Sequence, residues 1–141
     1  AAEWVEPVAK AMLSLGAERG MVVHGLDGMD EISTTGTTLV AEIKDGAVQM
    51  ADLTPERMGV PRASLDDLRG GTVAENAAAM TRLLGGEAGP FADLVAVNAG
   101  ATILVAGHAE TLLEGIAKAR QSVASGKALA SLEALRRASN G

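Results

Sequence analysis

The 141-residue chain has no cysteine. Disulfides, thiolate metal sites and a cysteine nucleophile are therefore excluded, and a reducing compartment is consistent with that lack. Aromatic residues are nearly as scarce, since Trp4 and Phe91 are the only ones. Without rings for bases to stack on, single-stranded nucleic acid is a poor partner. Basic charge is also short. Lys and Arg number 12 against 18 Asp and Glu, for a formal net charge of -6. A surface of that sign does not bind a phosphate backbone, so no nucleic-acid partner is expected. No apolar run is long enough for a membrane span, because the best stretch, 94–106, is broken by Asn98 and Gly100. Residues 1–15 carry Glu3, Glu6 and Lys10 and do not resemble a signal peptide. A soluble, cytoplasmic protein without a membrane partner is the expectation.

What is present is aliphatic. Hydrophobic residues make up 48% of the chain, so it is not disordered, and its length suits about one domain. Alanine, leucine, valine and methionine must do the packing. Val8, Met12 and Leu15 fall at helical spacing, which predicts a helix over 3–15 with Pro7 near its first turn and Gly16 as its stop. A short β-branched strand follows at 19–24. A helix leading into a buried strand is half of a crossover unit, so this strand is expected to join a parallel sheet. Segments 39–44 and 47–53 flank Asp45-Gly46, a strong hairpin signal. Thr72-Val73-Ala74-Glu75 reads as a capping box for a helix ending at 84, before Gly85-Gly86. Pro90 opens a second helix, 90–106, apolar on nearly every face and hence buried. Two more follow at 111–124 and 127–138, the last with Leu129, Leu132 and Leu135 inward. One strand and a hairpin make a small sheet for so much helix. With no initiator methionine and a helical pattern almost at once, the chain reads as a piece of something longer.

The chemistry concentrates in residues 24–33, His-Gly-Leu-Asp-Gly-Met-Asp-Glu-Ile-Ser, directly after the apolar run Met21-Val22-Val23. A strand that ends in a glycine-bearing loop with carboxylates presents hard oxygen ligands at a sheet edge. Adjacent Asp30 and Glu31 repel one another unless a cation or basic group intervenes. Asp27, Asp30 and Glu31 are thus candidate magnesium ligands, and a merely solvated acidic loop is the alternative. The spacing departs from an EF-hand loop, whose Asp-x-Asp-x-Asp-Gly series is missing, which favours magnesium over calcium. His24 is a candidate base or ligand, or a structural strand-end residue. His108 beside Gly107 reads as a helix-end residue. Residues 34–38, Thr-Thr-Gly-Thr-Thr, offer hydroxyls to an anion or simply lead into the hairpin. Asn98, inside the buried helix, must be hydrogen-bonded, and a brace from helix to loop is favoured over catalysis. Neither Gly25-Leu26-Asp27-Gly28 nor Gly70-Gly71 has the spacing of a phosphate loop.

These residues resemble the anthranilate phosphoribosyltransferases. His24-Gly25 through Gly28-Met29-Asp30-Glu31-Ile32-Ser33 looks like that family's Asp-Glu signature. Thr35-Gly36-Thr37-Thr38 is similar to its Thr-Gly-Pro-Thr turn, Asn98-Ala99-Gly100-Ala101 to its Asn-Ala-Ala-Ala, and Ala124-Ser125-Gly126-Lys127-Ala128-Leu129 to its closing motif. The departures are Thr37 for proline and Gly100 for alanine. The resemblance runs over the whole chain but covers less than half of the family's length. It implies residues 1–141 as part of one α/β phosphoribosyltransferase domain, related to the nucleoside phosphorylases, with one parallel-type strand and a β-hairpin packed by four to six helices. An upstream helical domain and a glycine-rich phosphate loop would be absent. It further implies transfer of phosphoribose from 5-phosphoribosyl 1-diphosphate to anthranilate in tryptophan biosynthesis, by a homodimer using Mg2+ held on Asp30 and Glu31. No catalytic residue is assigned, and these residues alone would be inactive. The alternatives are a nucleoside-phosphorylase-like paralogue and a non-catalytic interaction domain.

Overall fold

The computed structural model describes residues 1–139. A 3₁₀ turn at Ala2–Trp4 runs into α1 (Val5–Ser14), where Pro7 sits in the first turn and its missing N–H breaks no helical bond. The helix ends as expected at Gly16, whose φ of +94° suits a residue without Cβ. Three strands follow: β1 (Gly20–Gly25), β2 (Thr38–Lys44) and β3 (Ala47–Leu53). Asp45 and Gly46 both take positive φ, 51° and 74°, which matches the hairpin turn to the twist of its strands.

The sheet order is β1-β2-β3 and both pairings are antiparallel, with Gly20 opposite Ile43 and Gly25 opposite Thr38. The strands described thus give β1 no parallel neighbour, and its other edge is unpaired among the described residues. Residues 26–37 form a loop with no helix to carry the chain back across a sheet face, so β2 returns beside β1 in the opposite direction.

Strand alternation sends side chains to both faces, and helices cover each. Val22 and Ile43 face α1, packing with Val5 and Ala9. Met21, Val23 and Leu53 face the other way, onto a core of Ile32, Met58, Val60, Val97, Ala101 and Ile116. The helices of that second layer are α3 (Pro90–Val105) and α4 (Leu112–Ala124); α5 (Lys127–Ser139) packs on α4 and on α2 (Val73–Leu84). Five α-helices among the described residues fall within the expected range. Thr72 and Glu75 form the capping box, and Pro90 occupies the first turn of α3.

Helix α3 is the buried one. Leu94, Ala96, Val97, Gly100, Ala101 and Leu104 are all buried. It crosses α4 at a pair of glycines. A Cβ on Gly100 would stand 2.6 Å from the Ile116 backbone nitrogen, and one on Gly115 would strike the Gly100 carbonyl. Arg19 fastens the far end of α3 by donating to the Leu104 carbonyl at 2.8 Å. Helix α5 departs from expectation, since it has no buried residue and Leu135 is 65% exposed.

Candidate functional site

The acidic loop leaves β1 at Gly25 and is built around Asp27. The Gly25 N–H donates to the Met29 carbonyl at 2.9 Å, and the Gly28 N–H donates back to the Gly25 carbonyl at 2.9 Å. Gly28 permits this turn with a φ of +100°. The Asp27 carboxylate then folds under the turn. It accepts the Met29 N–H at 3.2 Å and the hydroxyls of Ser33 and Thr35. A side chain on Gly25 would lie 2.5 Å from Asp27 Oδ1, so the glycine is what leaves room for the carboxylate. Burial pushes the Asp27 carboxyl up, but hydrogen bonds from Ser33, Thr35 and Met29 outweigh it and hold the group below its ordinary value. Its lone pairs serve the loop, so of the three candidate ligands Asp27 is a structural anion.

The threonine stretch is also turned inward. Thr38 Oγ1 accepts the Ser33 N–H at 2.9 Å, and Ser33 Oγ accepts the Thr35 N–H at 2.9 Å. Ser33, Thr34 and Thr38 are all fully buried. Only Thr34 Oγ1, among the buried side-chain oxygens and nitrogens described, has no hydrogen-bond partner. The hydroxyls of Ser33, Thr35 and Thr38 thus serve the loop and its lead into the hairpin.

Two braces come from outside the loop. Asn98 grips Ile32 in both directions: its Oδ1 accepts the Ile32 N–H at 2.9 Å and its Nδ2 donates to the Ile32 carbonyl at 2.9 Å. The helix-to-loop brace expected of Asn98 is what the structure contains. Arg62 is the second brace and was not legible in the sequence. It donates to the Thr35 carbonyl at 2.9 Å and forms a forked pair with Glu56, both bonds 3.1 Å. An arginine just past Val60-Pro61 was the only signal.

Asp30 and Glu31 project from this braced frame. Asp30 is exposed and Glu31 half-buried. Among the described residues neither carboxylate has a hydrogen-bond or ion-pair partner. Partial burial, followed by the negative charge of Asp30, pushes the Glu31 carboxyl above its ordinary value. Two unpaired acids side by side, one already resisting ionisation, are a donor set that a small hard cation relieves. No group of three or more metal-ligating side chains exists among the described residues. A magnesium ion here would therefore draw its remaining oxygens from substrate, water or residues beyond these. His24 lies in β1 opposite Leu39, and the His108 carbonyl accepts from Lys118 near the end of α3. Neither histidine joins the acid pair in a metal-binding cluster.

The family model described as "Glycosyl transferase family, a/b domain" matches residues 1–129. The chain belongs to this family. Within it, the chain is 54% identical over 140 residues to the anthranilate phosphoribosyltransferase of Caulobacter vibrioides, covering 99% of this chain and 41% of that protein. It is 50% identical over 141 residues to the enzyme of Parvibaculum lavamentivorans, covering all of this chain and 41% of that protein. The crystal structure of the Thermus thermophilus enzyme superposes with a TM-score of 0.85 at 48% identity, over 94% of this chain and 39% of that one. The Saccharomyces cerevisiae enzyme in complex with PRPP and Mg superposes at 0.80 and 31% identity, over 94% and 39%. The chain thus spans about two-fifths of the length of these glycosyl transferase relatives, and the resemblance read from its acidic loop leads to the same enzymes.

Proposed function

We propose that the full-length protein containing this chain is an anthranilate phosphoribosyltransferase. It would transfer the phosphoribosyl group of 5-phosphoribosyl 1-diphosphate to anthranilate in tryptophan biosynthesis. The observation that carries the reading is the acid pair: Asp30 and Glu31 stand unpaired on a loop fixed from three sides, in a chain half-identical to enzymes of that name. In the reaction the anthranilate nitrogen bonds to C1 of the ribose as the C1–O bond to diphosphate breaks. The electron pair leaves on the diphosphate oxygen, and the amine gives up a proton. Magnesium, when bound, neutralises charge on the departing diphosphate. The chain's own part is to hold Asp30 and Glu31 in place as its ligands, which the Asp27 turn and the Asn98 and Arg62 braces support. Mg2+ is accordingly the proposed cofactor. The lack of cysteine and of any membrane-length apolar helix among the described residues supports a cytoplasmic setting, and the family resemblance supports a homodimer.

The test is steady-state turnover of the full-length protein with anthranilate and 5-phosphoribosyl 1-diphosphate across a magnesium series. Asp30→Asn and Glu31→Gln are expected to lower turnover by about 100-fold, the scale lost with one electrostatic stabiliser. Unchanged turnover and magnesium dependence in both variants would falsify the assignment. Assays with uridine or thymidine and phosphate separate this reaction from that of a nucleoside phosphorylase. The 141 residues alone are expected to show no turnover.

A further inference from the structure

The Asn98 side chain lies well placed to act on Glu31 without touching it. Its Oδ1 holds the N–H of the peptide that joins Glu31 to Ile32. That peptide is planar and includes the Glu31 Cα, so fixing its N–H fixes the Glu31 carbonyl on the opposite side and the position of the Cα that carries the carboxylate side chain. The Nδ2 group holds the next peptide through the Ile32 carbonyl. The remaining Nδ2 proton goes to the Leu94 carbonyl one helical turn back at 3.0 Å, which locks the carboxamide onto α3. Only this orientation of the amide satisfies an N–H and a carbonyl of one residue together. Helix α3 is a stiff base for such a grip, being buried along Leu94, Val97, Ala101 and Leu104 and seated against α4. The Ile32 side chain, 1% exposed, packs in the same core as Val97.

We infer that Asn98 is a positioning residue that presets the Glu31 carboxylate for a divalent cation, by clamping the two peptides that follow it to helix α3. The inference rests on the reading of Asp30 and Glu31 as metal ligands. It makes the loop geometry a property of the metal-free protein rather than one imposed by the ion.

Residue-resolved amide hydrogen exchange on the full-length, metal-free protein tests this, together with the magnesium concentration for half-maximal turnover. In the wild type the Ile32 amide should exchange as slowly as the amides of α3. In Asn98→Ala and Asn98→Ser it should exchange at least about tenfold faster while β2 amides hold their rates, since one partly buried hydrogen bond is lost. Half-saturation by magnesium should rise about tenfold, with turnover at saturating metal within about threefold, the split expected of lost preorganisation. A rapidly exchanging Ile32 amide in the wild type overturns the inference, whether or not the variants fold. So do variants with lowered stability and turnover but unmoved half-saturation, which describe a brace and no more. Glu31→Gln separates the two claims. If it leaves half-saturation unchanged, the metal reading itself fails. If it shifts half-saturation and the Asn98 variants do not, only the role of Asn98 fails.

Discussion

The α3–α4 crossing gives a sharp test of the packing, through Gly100→Ala. The new methyl would sit 2.6 Å from the Ile116 nitrogen and 2.8 Å from its Cα, where ordinary contact begins at 3.4 Å. Both obstacles are backbone atoms, so no rotamer change relieves them. The helices must part by most of 1 Å at the crossing, and Gly115, which faces the Gly100 carbonyl, would lose its contact as they do. Overpacking of this kind costs about 1–3 kcal/mol. Alanine returns about 1 kcal/mol in helix propensity over glycine. The net expectation is a loss of up to about 2 kcal/mol, an estimate that combines those two ranges. Denaturant unfolding of the full-length protein, followed by far-ultraviolet circular dichroism, reads it. A gain in stability would refute the reasoning, for the crossing would then have slack the structure does not contain. The alanine usual in the resembling family fits this account only if those enzymes hold the two helices farther apart, so the cost belongs to the single change in this background.

Three further outcomes follow from the loop. Thr34→Val should raise stability by about 1 kcal/mol, because it removes a buried hydroxyl without a partner and keeps the shape; a thermal melt showing a loss would mean that the hydroxyl is satisfied. Asp27→Ala should cost about 2–4 kcal/mol by stranding the Ser33 and Thr35 hydroxyls and the Met29 N–H, and a neutral result in denaturant titration would refute the Asp27-centred turn. The Asp27 carboxyl is held below its ordinary 3.8, so its stabilisation is complete above that pH and fades as pH falls through the lowered value. Glu31 has the opposite sign. Its carboxyl is raised above 4.5, so the folded state loses stability as pH rises through that region, and Glu31→Gln should raise the metal-free melting temperature at pH 7 with the gain vanishing in acid. A gain independent of pH would point to some other cause.

The helices were legible because their punctuation is local. Gly16, the Thr72–Glu75 box, Pro90 and Gly107 each act on one turn of chain, and each stands where its chemistry requires. The antiparallel pairing of β1 with β2 was not, because that pairing is chosen by what the intervening loop does. Nothing in residues 26–37 announces that hydroxyls and a half-buried carboxylate will fold the loop back toward β1. The acid pair could be read by adjacency alone. The division of labour between Asp27 and its neighbours could not, since it depends on Ser33 and Thr35 coming back beneath the turn. Asn98 was readable because a polar side chain in an apolar helix has to find a partner, though the sequence could not say that the partner is Ile32. The inward placement of Leu135 failed for the opposite reason. Apolar spacing marks a face of α5, but the described neighbours do not extend far enough to cover it.

The placement of Trp4 bears on how these experiments can be watched. Its indole is 62% exposed in the N-terminal 3₁₀ turn, ahead of the first helix and on a different segment from the acidic loop. A ring that exposed is expected to emit as a solvated one, so melting of the aliphatic interior should leave its emission almost unchanged. Leu26, 60% exposed and adjacent to Asp27, offers a vantage point that nature left dark. Leu26→Trp in a Trp4→Phe background would put a fluorophore beside the turn, letting ion arrival be followed by light.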